Sequence, residues 1–394
     1  MKQSSLMRYI NRLGLITTAL LLVLFPTAGI GDAVAHKSDS KTAGKDDQGP
    51  IVIARQGSFF VAGTEVAAPG EFDPTVRITS DEGQSFQTDH LYAQYQIPQN
   101  LRRFPLVFIH GASQTGKTWE STPDGREGYQ TIFLRRGFAV YVVDFPRRGK
   151  AGFPSFNGTL GALLDQPVIP DRTNRGSDQV GFINSRLGPK FLEYFPNTQF
   201  PKTGLHQFLQ QYIPSVMDDP NVVVDVLVAL LDKIGPAILV SHSQSGQFAY
   251  LAAIRSPNVK AIVDYEGVNQ PFPEGEVPEP LPAYDGFLIG PGAPVPLEDF
   301  LKLTKIPIQI VVGDNFPPGP QPNLLLETPR IRLSFKNQFV KTVNQHGGNA
   351  SLLRLPDVGI YGNTHFPFSD LNNLEVADLM SKFLQEKGLD QRAR

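Results

Sequence analysis

The stretch Ala237-Ile-Leu-Val-Ser241-His242-Ser243-Gln244-Ser245-Gly246 constrains this chain more than any other. Its unbroken apolar run predicts a buried strand, and Gln244 to Arg255 predicts a helix. Between them stands a serine with small residues two before and two after. A sharp strand-to-helix turn brings two backbones together, so only small flanking side chains fit. The turn lifts the central side chain out of the sheet, at a helix N-terminus. A hydroxyl held there becomes a nucleophile once a base takes its proton. Ser243 is the candidate nucleophile; Ser241 and Ser245 are fallbacks without the same symmetry of small neighbours. The competing role is helix capping, open to Ser243 or Ser245.

The rest of the chain predicts a scaffold for such a turn. Residues 57–63 and 90–97 read as an antiparallel pair of strands. Continuous apolar runs at 104–110, 138–144, 237–241, 260–265, 306–313 and 351–355 read as buried parallel strands. Helical patterns follow at 127–136, 222–234, 244–255, 335–346 and 375–387. Strand alternating with helix at this spacing means βαβ units and a mostly parallel, doubly wound α/β sheet. Two segments break the alternation, about 145–215 and 269–296, both rich in Pro, Gly and Phe. They read as cap-like insertions within one domain spanning 51–394.

A serine nucleophile needs a base and an acid. Of the seven histidines, His365 lies in Gly362-Asn-Thr-His-Phe366, between the last strand and the last helix, where the order Ser, acid, His places the base. His346 sits at a helix end beside two glycines and reads as a surface residue, while His110 and His242 are motif neighbours. Two carboxylates compete for the acid. Strand seven runs into Gly313-Asp314-Asn315-Phe316, so the usual acid position, three beyond the glycine, holds Phe316 and Asp314 is displaced by two. Strand six ends in Glu266 followed by Gly267, which permits a tight turn. Either can orient an imidazole and stabilise its cation. The paired residue is expected at ~2.6–3.2 Å from the ring.

These elements together resemble the α/β-hydrolase superfamily, over residues of about 55–387. In particular the chain resembles exported microbial esterases that share TWESTPDGREG-like and SHSQSG-like segments, here at Thr118–Gly128 and Ser241–Gly246. The resemblance implies the α/β-hydrolase fold, cleavage of a small ester through an acyl-enzyme, and the acid after strand six, Glu266. A tetrahedral intermediate needs two fixed N–H donors. Gln244, just after the nucleophile, supplies one, and the resemblance assigns the other to Ala112, with Ser113 as the alternative.

The same loop carries a competing match. Gly111-Ala-Ser-Gln-Thr-Gly116-Lys117-Thr118 fits the phosphate-binding pattern G-x-x-x-x-G-K-[ST] after a buried strand. Against it stand a turn-like Trp119–Gly125 where a helix should open, an export signal, and the serine elbow left unexplained. Lys117 and Trp119, the only tryptophan, read as packing the loop beside the pocket.

Lys2, Arg8 and Arg12 precede an apolar run from Leu13 to Phe25, and Ala33-Val34-Ala35 offers a small-x-small cleavage site. Residues 1–35 therefore read as a signal peptide, with an uncleaved anchor as the alternative. Residues 36–50 read as a disordered leader. A secreted or periplasmic location follows, with no membrane span after cleavage. No cysteine is present, which excludes disulfides and thiol chemistry. A net charge of −2 gives no reason to expect a nucleic-acid partner. No cofactor or metal cluster is implied. The Phe content of the insertions suggests an apolar or aromatic substrate group. Other classes consistent with the sequence are an amide or lactone hydrolase, or a non-catalytic binder on the same scaffold.

Overall fold

A computed structural model describes residues 49–76, 82–152, 176–214 and 219–393. The expected signal segment, nearly all of the expected leader, and 153–175 of the first insertion lie outside the described residues. Ile51–Arg394 cluster as one unit. Among the described residues its main sheet has eight strands: β1 (Ile53–Val61), β2 (Leu91–Pro98), β3 (Leu106–Ile109), β4 (Val140–Asp144), β5 (Ala237–His242), β6 (Val259–Tyr265), β7 (Pro307–Val312) and β8 (Asn349–Arg354). Their order across the sheet is β1-β2-β4-β3-β5-β6-β7-β8. β2 runs antiparallel to β1 and β4, and the other neighbours are parallel. This is the expected doubly wound α/β architecture.

Helices among the described residues include α1 (Tyr129–Arg135), α2 (Asp178–Asn184), α3 (Leu205–Gln210), α4 (Pro220–Ile234), α5 (Ser245–Arg255), α6 (Leu324–Gln345) and α7 (Asn373–Glu386). Side chains alternate between two cores. Val107 and Ile109 of β3 pack with α4, α5 and the second half of α6, whereas Leu106 and Phe108 pack with α1 and α7. Both faces are covered, which is why the central strands read as continuous apolar runs. Three phenylalanines of the first insertion join this packing. Phe182, Phe200 and Phe208 are buried in the α1/α7 core, so they do not support the expected apolar substrate wall.

Two expectations need correction, and one element was not foreseen. α6 begins at Leu324 rather than Phe335, and runs through Pro329. Proline reads as a breaker because it lacks an N–H and crowds the preceding turn, yet packing holds the helix through it. A hairpin of Thr64–Ala67 with Ser85–Thr88 went unanticipated. Lys117 does open a helical turn, Lys117–Glu120, so that argument against phosphate binding fails.

Trp119 is fully buried and stacks on Phe368 with ring centroids 4.0 Å apart. Phe368→Ala should remove about 3–5 kcal/mol of stability, as large aromatic truncations in packed cores do. Chemical denaturation followed by Trp119 fluorescence measures it; an unchanged midpoint would refute the packing role.

Candidate active site

The ends of β3, β5, β6 and β7 are level in the sheet: Ile109 pairs with Ser241, His242 with Tyr265, and Tyr265 with Val311. Each strand therefore delivers its next residues to one place. β5 ends at His242 and α5 starts at Ser245, so Ser243 and Gln244 make the turn. Ser243 has φ +54°, a left-handed conformation that surrounding contacts must hold. Its N–H donates to the Tyr265 carbonyl at 2.9 Å, and its own carbonyl accepts from Val268 N at 3.0 Å. The turn is tight: a Cβ on Gly111 would lie 3.1 Å from Ser243 Cβ, and one on Gly246 would lie 2.8 Å from Gly267 Cα.

The three serines separate clearly. Ser241 Oγ donates to Asp264 Oδ1 at 2.8 Å, and Ser245 Oγ accepts from His242 N at 2.9 Å and lies 3.0 Å from the Ile109 carbonyl. Both are buried in the scaffold. Ser243 instead lines a cavity with Glu266 and His365.

Glu266 also has a left-handed backbone, φ +59°, fixed by its N–H donating to Val311 O at 2.8 Å. Its Oε1 accepts from Gly313 N at 2.6 Å and from Arg186 Nη2. Its Oε2 stands 3.5 Å from His365 Nδ1, longer than the expected hydrogen bond, and Nδ1 is buried without a hydrogen-bond partner among the described residues. Burial pushes the Glu266 carboxyl up, but the Arg186 guanidinium, His365 and Lys336 together hold it well below the usual carboxylate range. Burial likewise lowers His365 from its ordinary 6.5, with Glu266 opposing and Arg186 and Lys336 reinforcing the shift.

The His365 segment is held from several sides. Its N–H donates to Ser185 O at 2.9 Å, and its carbonyl lies 3.0 Å from His242 Nε2. Buried Asp370 accepts from Thr364 N at 2.7 Å, Thr364 Oγ1 at 3.0 Å and Asn363 Nδ2 at 3.1 Å. His346 is remote from this arrangement, 3.0 Å from Glu276 at the end of α6. Asp314 does not meet the imidazole either. Its Oδ2 accepts from Gly362 N at 2.8 Å and Asn197 Nδ2 at 3.1 Å, which shapes the loop that carries His365.

Gly111 and Gln244 flank the elbow and share one buried arginine. Arg148 Nη1 donates to Gly111 O and Nη2 to Gln244 Oε1, both at 3.1 Å. Ala112 is exposed beside them, and Ser113 has φ +55° with its carbonyl accepting from Ile213 N at 2.9 Å. The phosphate-loop alternative meets groups already engaged. Gly116 N donates to Asp144 Oδ1 at 2.6 Å, and Lys117 Nζ donates to Ser121 O and Oγ at 3.0 Å.

The sequence did not point to Arg186, Arg148, Asp370, Arg332 or Lys336. Arg186 lies in the aperiodic first insertion, where no spacing signal marks a buried cation. Its guanidinium also donates from Nε to Asp314 O at 2.9 Å and covers the Phe316 ring at 4.0 Å. Removing one partner of a buried ion pair leaves an uncompensated charge. Arg186→Met should therefore cost about 3–5 kcal/mol, and the double variant with Glu266→Leu should recover much of it. Denaturant melts of both variants decide the point; a single variant as stable as the parent would refute it.

The model of the alpha/beta hydrolase family matches residues 106–378. The chain is 28% identical over 333 residues to a protein named "Probable secreted lipase phiG" from a fungal species (strain ATCC 74256), covering 77% of this chain and 88% of that one. It is 32% identical to a solved structure described as that of a novel bacterial esterase, with a TM-score of 0.69 over 86% of this chain and 97% of the other. With the matched segment spanning both the serine elbow and the histidine loop, the chain belongs to the alpha/beta hydrolase family.

Proposed function

We propose that this protein is an exported serine hydrolase that cleaves carboxylic esters, with Ser243 as nucleophile, His365 as base and Glu266 as the acid. The observation that carries this is the left-handed serine of a strand-helix elbow, lining one cavity with a buried histidine and a buried glutamate. His365 takes the Ser243 proton as Oγ attacks the ester carbonyl carbon. The tetrahedral oxyanion receives the backbone N–H groups of Ala112 and Gln244. The C–O bond to the alcohol then breaks, and His365 returns its proton to that leaving oxygen. Water, deprotonated by the same imidazole, releases the acid and restores Ser243. Glu266 stabilises the imidazolium in both steps; closing the 3.5 Å gap to a hydrogen bond accompanies ring protonation. The names of the lipase and esterase relatives support the ester as substrate class. The basic and apolar segment at the N-terminus and the secreted relative support export. No helix among the described residues is long and apolar enough to cross a membrane.

Ser243→Ala and His365→Ala should each lower kcat on a simple ester by several orders of magnitude, with the melting profile retained, while His346→Ala stays near the parent. Glu266→Gln should lower kcat strongly and Asp314→Asn much less. Steady-state kinetics on this set is the test; a crippled Asp314→Asn beside an active Glu266→Gln would move the acid to strand seven.

The pH dependence follows from the same site. The base works only when neutral, and burial lowers its pKa below 6.5. Activity should therefore persist into mild acid and fall as the pH drops through that lowered value. A kcat/KM profile, which reports the free enzyme, should show an acid limb centred below 6.5. A limb centred above that value contradicts the assignment.

A further inference from the structure

α6 presents Pro329, Arg332 and Lys336 at successive spacings of three and four, the spacing that places side chains on one helix face. All three line the cavity that holds Ser243, Glu266 and His365, together with Arg186. Lys336 is 2% exposed, an unusual burial for a lysine. Arg332 Nε and Arg186 Nη1 are buried and have no hydrogen-bond partner among the described residues. Three cations thus line the cavity that holds Ser243 and His365. Two carboxylates face them. Glu266 pairs with Arg186 and His365 rather than with Lys336. Asp264 lies beneath the elbow and accepts from Ser241 Oγ and, at 2.7 Å, from Tyr250 OH. One positive charge is left over, and it sits on the Arg332–Lys336 face.

Burying an unpaired charge is unfavourable, and a ligand that brings the opposite charge offsets that cost. Lys336 is pushed down by burial to about 8, with Glu266 and Asp264 opposing and Arg332 reinforcing, so it stays largely cationic at neutral pH. A guanidinium edge matches a carboxylate in a bidentate way, and one surplus positive charge suits one carboxylate group.

We propose that Arg332 and Lys336 form a carboxylate-binding subsite beside Ser243, so that the preferred ester carries a free carboxylate a few bonds from the scissile carbonyl, as in a monoester of a dicarboxylic acid. This rests on the ester-hydrolase function proposed above. It replaces the apolar or aromatic substrate group expected from Phe content, since Phe182, Phe200 and Phe208 of the first insertion are packed in the core.

The test compares monoethyl glutarate with ethyl butyrate by pH-stat, using the parent, Arg332→Gln, Lys336→Met and Arg332→Lys. In parallel, glutarate is titrated calorimetrically into the same proteins. The parent should prefer the anionic ester about tenfold or more in kcat/KM, the scale of a lost hydrogen bond to a charged group. That ratio should collapse in Arg332→Gln and Lys336→Met, recover in part in Arg332→Lys, and weaken at high salt. A purely structural role for these residues would lower both esters alike and leave the ratio unchanged, which overturns the subsite. Ethyl butyrate cleavage with no preference for the anion and no glutarate heat also overturns it, while the hydrolase function stands. Glutarate binding that the variants abolish, with neither ester cleaved, supports the subsite and removes the hydrolase function instead.

Discussion

Two adjacent strands, β5 and β6, each run into a residue at positive φ, and the site depends on that pair of turns. Ser243 is stitched to the residues on either side of Glu266 by hydrogen bonds from Ser243 N to Tyr265 O and from Val268 N to Ser243 O. The bend of one is therefore held by the end of the other. The stitch needs bare backbone nearby. A Cβ on Gly267 would fall 1.9 Å from an Asp264 carboxylate oxygen, and Gly246 faces the same group at 3.0 Å. Left-handed backbone at a residue with a side chain is unfavourable by about 1–3 kcal/mol each. It persists here because the level ends of a parallel sheet over-determine it.

Electrostatics forms the second layer. Glu266 is nearly inaccessible yet ionised, because a guanidinium, a backbone N–H and an imidazole surround it. The charge beside the imidazole is therefore insulated from solvent and screened little by salt. Burial alone would favour the neutral carboxyl, and it does so for Asp370, which rises to about 7 despite its hydrogen bonds from Thr364 and Asn363. The two acids differ in one respect above all: a cation in direct contact.

Legibility in the sequence followed the range of the interactions. The serine elbow is local, a run of apolar residues closed by small ones, and the mostly parallel, doubly wound sheet followed from the alternation of strand and helix. Glu266 was readable as an alternative because a glycine follows it and because Phe316 fills the usual acid position. Arg186 acts across 80 residues of chain, from a segment with no period, and nothing local announces it. Arg332 and Lys336 were hidden differently. Pro329 masked the first half of α6, and charged residues on a helix ordinarily read as its solvated face.

The insertion between β4 and α4 does more than cover the sheet. Its residues 185–199 bind the histidine loop through Ser185 O to His365 N, Gln199 N to Gly362 O, and Leu371 N to Gln199 O, besides supplying Arg186. Such an element is poorly suited to modular exchange. Grafting a foreign segment over 185–199 would remove the counter-ion of Glu266 and the anchor of His365 together with whatever shape it changed. Diversification of this scaffold is thereby channelled elsewhere, towards positions such as the exposed Tyr284–Leu288 tip, where side chains reach solvent and no residue of the elbow depends on them.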